Sequence, residues 1–246
     1  MNDVYVAVSF LTRLRVPVAA HTPDAATLGR CVRWFPLVGG LVGGVTATIA
    51  RGLAVVLPIE LAVAVALALE LLLTGAMHED ALADCCDALG GGWTREDVLR
   101  ILKDSRLGTY GTAALVLGIG MRWMATAELG GVLLVPAVIA AGALARYAVV
   151  LHLARFPAAP GRSGTADAMG VTSPLGVAGV SALVLASPML VLAPVRTLVG
   201  CALAYALHRA FGTYVTRRIG GRTGDTVGAV AYLVQLVLLL AFVAQG

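Results

Sequence analysis

The sequence predicts an all-α integral membrane protein, a bundle of about seven transmembrane helices that forms one membrane-embedded domain over residues 1–246. Of its residues, 59% are hydrophobic and only 13% are charged, whereas soluble domains carry about 25% charged residues. Apolar segments of roughly 20 residues, the length that spans a bilayer, recur along the chain. Basic residues fall on alternate loops between these segments, as they do in multi-pass membrane proteins.

Seven apolar segments are long enough, or nearly so, to cross a membrane. The sixth is the shortest, and Pro58 predicts a tight hairpin between the first two. Glu128 and Gly130 predict another tight hairpin between the third and the fourth. The seven segments cover residues 35–57, 58–77, 107–127, 129–151, 173–195, 197–211 and 226–244.

The distribution of Arg and Lys predicts which loops face the cytoplasm. With the N-terminus inside, the outward loops hold almost no basic residue apart from Arg196. Arg51, Arg122 and Arg146 fall near predicted span ends, where we expect their side chains to reach toward the surface. The net charge of +4 does not indicate a nucleic-acid partner, because the basic residues are spread over several loops. The inward loops would be 1–34, 78–106, 152–172 and 212–225, so the polar loops meet on one side, where we expect the active site.

An acidic stretch over residues 74–92, TGAMHEDALADCCDALGGG, interrupts the apolar sequence. On a helix, Asp80, Asp84 and Asp87 fall at i, i+4 and i+7 and share one face. Carboxylates on one face repel one another unless a cation lies among them, and oxygen ligands favour Mg²⁺ or Mn²⁺. We therefore predict that these three aspartates bind the metal, and that His78 orients a carboxylate or the substrate. The alternative is a solvated acidic helix face.

A second motif, KDSRLGTYG, occupies residues 103–111. A glycine-containing turn that opens a helix exposes backbone N–H groups to an anion, and neighbouring Lys and Arg favour phosphate. This pattern predicts catalytic roles for Lys103, Asp104 and Arg106, and it predicts substrate contacts for Ser105, Gly108, Thr109 and Tyr110. The alternative is a basic flank of a membrane span that contains a glycine turn.

A third motif, GGRTGDTVGA, occupies residues 220–229. Its glycines allow close approach of the backbone to a ligand, and Arg222, Thr223, Gly224 and Asp225 are candidate substrate contacts. Thr223 or Asp225 is equally suited to cap the last helix. The loop 159–170 is a weaker candidate, in which Arg162 would reach the substrate.

Carboxylates for a metal, together with Arg, Lys and backbone donors for phosphate, predict phosphoryl or nucleotidyl transfer. Such chemistry consists mainly of charge neutralisation and of alignment of the nucleophile, the phosphorus and the leaving group. A carboxylate that does not bind the metal could accept the proton of an attacking hydroxyl.

Together these motifs resemble the cobalamin synthase family, the adenosylcobinamide-GDP ribazoletransferases. The resemblance rests on HEDALADCCDALGGG at 78–92, KDSRLGTYG at 103–111, and GGRTGD at 220–225 with Gly228 and Ala229. FLTRLRVPV at 10–18 and WFPLVGGLVGG at 34–44 are also similar to that family. The similar segments span nearly the whole chain in the family's order.

The resemblance implies a magnesium-dependent phosphotransferase of the bacterial inner membrane that acts late in cobalamin biosynthesis. Its partners would be adenosylcobinamide-GDP, alpha-ribazole or its 5′-phosphate, and membrane lipid, with no nucleic acid. The products would be adenosylcobalamin, or its 5′-phosphate, and GMP. A homo-oligomer, or a complex with other late B12 enzymes, stays an open alternative.

The family pattern also assigns individual roles. Its HxDxxAD motif falls on His78, Asp80 and Asp84, with Ala81 at a common glycine position. We expect the ribazole 5′ oxygen to attack the phosphorus attached to cobinamide. A hydroxyl nucleophile would need a base, for which Asp87 or Asp104 is the candidate. The family's usual glutamates in the last span are replaced by Tyr232 and Gln235, so no acid–base role is assigned there.

Two other functions are weighed against this one. A CDP-alcohol phosphotransferase also uses aspartates on membrane helices, but its fuller aspartate pattern does not match this sequence. A transporter would carry ionisable residues near the middle of the membrane, for which Glu60, Glu70 and His208 are the candidates.

Overall fold

The computed structural model describes residues 2–14, 16, 24–161, 169 and 175–244. Over these residues the chain is helical, with one isolated bridge between Ala158 and Arg222 and no β-strand, so the predicted all-α class is confirmed. The helices are α1 Asn2–Leu11, α2 Ala25–Cys31, α3 Phe35–Leu53, α4 Ile59–Thr74, α5 Met77–Gly91, α6 Arg95–Ile101, α7 Thr109–Glu128, α8 Leu134–Arg155, α9 Leu175–Leu192, α10 Pro194–Ile219 and α11 Gly224–Val243, with a 3₁₀ turn at Val32–Trp34 between α2 and α3.

Each of the seven predicted spans corresponds to one long helix, from α3 and α4 through α7 to α11. The prediction for the sixth, residues 197–211, is too short, because α10 has 26 residues and continues to Ile219. Its C-terminal half is polar, so the apolar pattern stops before the helix does. Gly220 ends the helix with a φ of 87°, a left-handed conformation that glycine adopts without strain.

Within the described residues, three helices are both long and apolar enough to cross a membrane: Ala25–Leu53, Leu134–Arg155 and Gly224–Val243. A fourth is added if the bent pair α4 and α5 is counted as one span. This finding agrees with a multi-pass membrane protein, whereas the count of seven spans stays a prediction.

Helix α8 lies at the centre of the bundle and packs against α3, α9 and α11. Its tightest contact is with α3, where glycines let the two backbones approach. A Cβ atom on Gly43 would lie 2.5 Å from the carbonyl oxygen of Val138, and Gly39 lies equally tightly against Gly142. Small residues at helix contacts are typical of membrane bundles, where close packing replaces the hydrophobic effect between helices.

The interior of the bundle is built largely from alanine and valine, whereas large apolar side chains point outward. On α9 and α10 these outward side chains lie side by side on the surface, which suits contact with lipid. Examples with roughly half or more of their surface exposed are Val180, Leu183, Val184, Val191, Leu198 and Leu203.

A sharp turn at Gly75 and Ala76 separates α5 from α4. Both residues have left-handed backbone conformations, and the two helix axes differ by 86°. Helix α5 therefore leaves the direction of the span that precedes it, in the segment that the sequence places outside the spans. It then packs against α7 and α11, which positions the acidic stretch against the N-terminal end of α11.

Candidate active site

The exposed face of α5 presents Asp80 and Asp84, as the helical spacing predicts. Burial and the nearby charges of Asp80, Asp225 and Asp87 raise the pKa of the Asp84 carboxyl to about 6. Within the described residues, no hydrogen bond engages the Asp84 carboxylate. Asp80 and Asp84 thus form one acidic patch with Asp225, and we keep the name acidic patch for these three residues.

Asp225 reaches this patch because α11 begins beside α5. Thr223 caps α11 and accepts the backbone N–H of Thr226, while the Thr226 hydroxyl accepts the backbone N–H of Thr223. Of the two roles weighed for Thr223, the structure thus shows capping. Gly228, one turn along α11, packs so tightly that an added Cβ would lie 2.5 Å from the Cβ of Ala81. The glycine therefore serves helix packing.

Asp87 lies close enough to Asp84 to raise its pKa, but its carboxylate is engaged at the start of α7. Its carboxylate accepts the backbone N–H of Gly108 at 2.7 Å and that of Gly111 at 2.8 Å. These are unpaired donors at the N-terminus of α7, where a negative charge is stabilising. The anion that occupies this helix end is therefore Asp87, whereas the sequence predicts a phosphate there. A Cβ on Gly108 or Gly111 would collide with the carboxylate, which explains both glycines.

The structure does not arrange Asp80, Asp84 and Asp87 as a three-carboxylate metal site. In the part of the chain that the structure describes, no group of three or more His, Cys, Asp or Glu side chains is arranged to hold a metal ion. Asp80 and Asp84 still suit Mg²⁺, because this ion is usually held by one or two carboxylates together with substrate phosphate oxygens. The acidic patch fits such a site, whereas the Asp87 carboxylate already accepts two backbone N–H groups.

His78 lies on the opposite side of α5 from the acidic patch. His78 lies two positions before Asp80, which is a rotation of about 200° around a helix. Its ring is buried, and Nδ1 lies 3.4 Å from a guanidinium nitrogen of Arg146. Because an arginine only donates, Nδ1 accepts and the ring is neutral with its proton on Nε2. His78 therefore faces the interior and contacts Arg146, and no contact with Asp80 or Asp84 is seen among the described residues.

The interior holds a buried polar cluster that the sequence analysis did not predict. Arg122 of α7 pairs with Glu70 of α4 at 2.5 Å and with Glu79 of α5 at 3.2 Å. Thr46 of α3 donates its hydroxyl to the second oxygen of Glu70 at 2.8 Å. Arg146 of α8 donates to the side-chain oxygen of Gln235 of α11 at 2.6 Å. The buried polar cluster comprises Thr46, Glu70, His78, Glu79, Arg122, Arg146 and Gln235.

This cluster corrects two expectations. Arg122 and Arg146 are 5% and 3% exposed, so neither side chain reaches the membrane surface. Glu70, considered above as an ionisable residue of a possible transporter, is paired with Arg122 inside the bundle. The sequence holds one indication of this cluster, which is the presence of ionisable residues within apolar segments. Burying such a residue costs free energy unless it is paired. Gln235, at a family glutamate position, is the partner of Arg146.

The loop between α6 and α7 carries the predicted phosphate-binding residues. Arg106 donates Nε to Oδ1 of Asp104 at 3.0 Å and Nη2 to Oδ2 at 2.6 Å. The Arg106 side chain hydrogen bond lowers the pKa of Asp104 to about 2. Such a carboxylate is a poor proton acceptor near neutral pH, which argues against Asp104 as the base. Lys103, Ser105, Thr109 and Tyr110 are exposed at the surface.

The first half of the third motif, residues 220–224, mainly holds two loops together. Arg222 is buried and donates Nε to the carbonyl oxygen of Phe156 at 3.1 Å. A Cβ on Gly221 would lie 2.5 Å from the carbonyl oxygen of Pro157, so this glycine lets two loops approach each other. The loop 159–170, with Arg162, lies mostly outside the described residues. Gly224 is exposed beside Asp225, and substrate contact at both positions stays a prediction.

Comparison with known proteins assigns the chain to a family. The family model described as cobalamin-5-phosphate synthase (CobS) matches residues 3–243. The adenosylcobinamide-GDP ribazoletransferase of Sinorhizobium medicae is 38% identical, over 97% of this chain and 94% of that protein. Those of Rhizobium meliloti and Ralstonia pickettii are 39% and 38% identical, over 97% and 98% of this chain and 94% of each relative. No solved structure matches. The chain therefore belongs to the cobalamin-5-phosphate synthase family.

Proposed function

We propose that this protein is an adenosylcobinamide-GDP ribazoletransferase, a transferase of the final stage of cobalamin biosynthesis. The observation that carries this proposal is the similarity to ribazoletransferases over 97% of the chain. The substrates would be adenosylcobinamide-GDP and alpha-ribazole or its 5′-phosphate. The products would be adenosylcobalamin, or its 5′-phosphate, and GMP. Neither a CDP-alcohol phosphotransferase nor a transporter is favoured by these relatives.

The acidic patch is where we place the diphosphate of adenosylcobinamide-GDP. Two negatively charged groups, the patch and the diphosphate, approach each other only with a cation between them. Mg²⁺, or Mn²⁺, would supply the positive charge that stabilises the leaving phosphate. Asp80 and Asp84 would hold that ion, and Asp225 borders the same surface. Lys103 and Arg106 are exposed nearby on the α6–α7 loop and would bind phosphate oxygens.

The transfer joins a ribazole oxygen to the phosphorus attached to cobinamide and breaks the bond to the GMP oxygen. Attack by the 5′ oxygen, as the sequence analysis expects, is not possible for the phosphorylated acceptor. In its product the 5′ oxygen still carries the phosphate, so another oxygen must form the new bond. The nucleophile is then another ribose hydroxyl for both acceptors, and each needs a proton acceptor. Asp87 is engaged by two backbone N–H groups and Asp104 by Arg106. Neither residue is therefore assigned as the proton acceptor.

We infer that the protein spans the bacterial inner membrane seven times and that its active site lies on the cytoplasmic face. Three loops predicted to face inward contact one another, which supports this placement. Arg95 donates to the carbonyl oxygens of Ile219 and Pro160 at 3.0 and 3.3 Å. Arg218 donates to the carbonyl oxygen of Gly92 at 2.5 Å. Loops that belong on one side of the membrane thus form one surface.

The activity is tested with the purified full chain in detergent or in vesicles. GMP release is measured with adenosylcobinamide-GDP, alpha-ribazole and Mg²⁺, and the corrinoid product is identified by mass. We expect stoichiometric GMP and a product that has gained ribazole. Solute flux across the vesicles without GMP release would support the transporter alternative and contradict the proposal.

A further inference from the structure

An open pocket lies at the junction of α5, the α6–α7 loop and the start of α7, and Asp87 of α5 is part of its wall. Its volume is about 380 Å³, and its walls include Gly91 of α5, Asp104 and Arg106 of the loop, and Tyr110 of α7. Ile101 and Leu107 provide apolar surface. A planar base needs apolar surface and a few polar groups that fix its orientation. The pocket has both.

The arrangement of Asp104 and Arg106 indicates which base the pocket would recognise. The guanidinium of Arg106 presents two parallel N–H donors, one to each oxygen of the Asp104 carboxylate. The N1–H and C2-amino groups of guanine present the same pair of donors on one edge. Asp104 can therefore accept guanine in place of Arg106. The Arg106 side chain is 86% exposed, and exposed ion pairs contribute little free energy, so it can be displaced.

Tyr110 provides a surface on which a base can stack. One face of its ring lies against Gly90, where an added Cβ would lie 2.8 Å from the ring. The residue is nonetheless 58% exposed, so the opposite side of the ring is open. Aromatic side chains in this situation stack on nucleobases without regard to their identity. The glycine at position 90 thus holds Tyr110 in place while leaving one face available.

The distance from the acidic patch also suits a nucleotide. Gly91 lies seven residues beyond Asp84, or two turns of α5, so both lie on the same side of the helix. At 1.5 Å per residue the separation along the axis is about 10 Å. That separation is comparable to the reach of an extended nucleotide from its 5′-phosphate to its base. A diphosphate at Asp84 would place its guanosine over Gly91.

We propose that this pocket is the guanine subsite of the enzyme, in which Asp104 accepts the N1–H and C2-amino groups and Tyr110 stacks on the ring. Arg106, released from Asp104, turns to the phosphates. This inference rests on the proposed function, and it adds a reason why the leaving group is GMP and not another nucleotide. Asp104 is then a specificity-determining residue and Arg106 exchanges partners when the substrate binds.

The test compares adenosylcobinamide-GDP with the analogue that carries inosine diphosphate, which lacks the C2-amino group. We expect kcat/KM of the wild type to be about 10- to 100-fold higher for the GDP substrate, because a hydrogen bond to a charged acceptor is lost with inosine. Asp104→Asn should lower kcat/KM for the GDP substrate and reduce the preference to within about threefold. Glu96→Gln, which removes an exposed negative charge outside the pocket, should keep the wild-type preference.

Tyr110 gives a second, independent readout. Tyr110→Ala should raise KM for both substrates by about tenfold and leave their ratio unchanged, whereas Tyr110→Phe should behave as the wild type. Inhibition of the wild type by GMP should exceed inhibition by IMP by the same factor as the substrate preference. This measurement tests recognition of the C2-amino group even if Asp104→Asn does not fold.

The inference is overturned if the wild type does not discriminate between the two substrates. It is also overturned if Asp104→Asn keeps the full preference, or lowers both activities in equal proportion. In each of these outcomes the wild type still releases GMP, so the proposed function stands. Absence of GMP release by the wild type would instead remove the proposed function itself.

Discussion

Asp84 and Asp104 are two carboxylates of the candidate site with opposite surroundings. Asp84 is partly buried beside other carboxylates, whereas Asp104 is partly exposed and paired with a guanidinium. Carboxylates that lie close together attract a cation, which suits Asp84 to the metal. Asp104, whose two oxygens already accept a pair of parallel donors, suits recognition of a donor pair.

The Asp104 assignment makes a prediction about pH. Its pKa is lowered to about 2 from an unfolded value near 3.9. The contribution of the ion pair is therefore present above about pH 4 and is lost as the pH falls through 2. Between pH 5 and 9 Asp104 stays ionised, so the ratio of wild-type to Asp104→Asn activity should be constant. Activity profiles of both proteins over this range check the result, and a tenfold drift of the ratio would contradict it.

At the scale of a helix, Asp87 shows how a residue on α5 fixes the start of α7. Its two oxygens accept N–H groups of residues 21 and 24 positions further along the chain. Local sequence gives no sign of this contact, because an unpaired helix end can be filled by a distant side chain, a ligand or water. For the same reason, the sequence predicts a phosphate site where the fold places a carboxylate.

This assignment predicts the effect of removing the carboxylate. Asp87→Ala should lower the free energy of unfolding by about 0.5–2 kcal/mol, the cost of losing a helix cap. Asp87→Asn keeps one acceptor oxygen and should lose less. Thermal unfolding of the detergent-purified proteins measures both, with Glu96→Gln as the control. An unchanged unfolding midpoint in Asp87→Ala, together with lost activity, would show that Asp87 acts in the chemistry instead.

The helices and the acidic face of α5 could be predicted because they depend on local periodicity and composition. The buried polar cluster could not, because its partners are far apart in sequence. Glu70 and Arg122, for example, are 52 positions apart. Ionisable residues in apolar segments indicate that such pairs exist, but only the fold shows which residues form them. Arg222 is similar, since its contact with Phe156 joins two loops 66 positions apart.

At the scale of the whole molecule, the buried polar cluster connects α3, α4, α5, α7, α8 and α11. Arg122→Met would leave Glu70 and Glu79 buried without their cation, which should cost about 3–5 kcal/mol. Arg51→Met is the matched control, because Arg51 is exposed and donates to the carbonyl oxygen of Gly131. This change should alter stability by about 0.5 kcal/mol or less. Unfolding of both variants is compared in one detergent. Equal stability of the two would contradict the structural role of the cluster.

The topology gives a second prediction at this scale. In a background without Cys31, Cys85, Cys86 and Cys201, single cysteines are placed at two exposed positions. Trp93 lies in a predicted inward loop, and Val132 lies in the turn between α7 and α8, at the predicted outward end of these helices. An impermeant thiol reagent added to intact cells should label Val132→Cys and not Trp93→Cys. Labelling of Trp93→Cys before the cells are lysed would place the active site on the wrong side of the membrane.

The central claim is that the acidic patch on α5 carries the transfer. The most direct test measures GMP release from adenosylcobinamide-GDP and alpha-ribazole by the wild type, Asp84→Asn and Glu96→Gln, with Mg²⁺ and after its chelation. The wild type and Glu96→Gln should release GMP at the same rate and stop when Mg²⁺ is removed. Asp84→Asn should be slower by about 100-fold or more while still inserting and folding. A rate for Asp84→Asn within about twofold of the wild type, with the same dependence on Mg²⁺, would contradict the account.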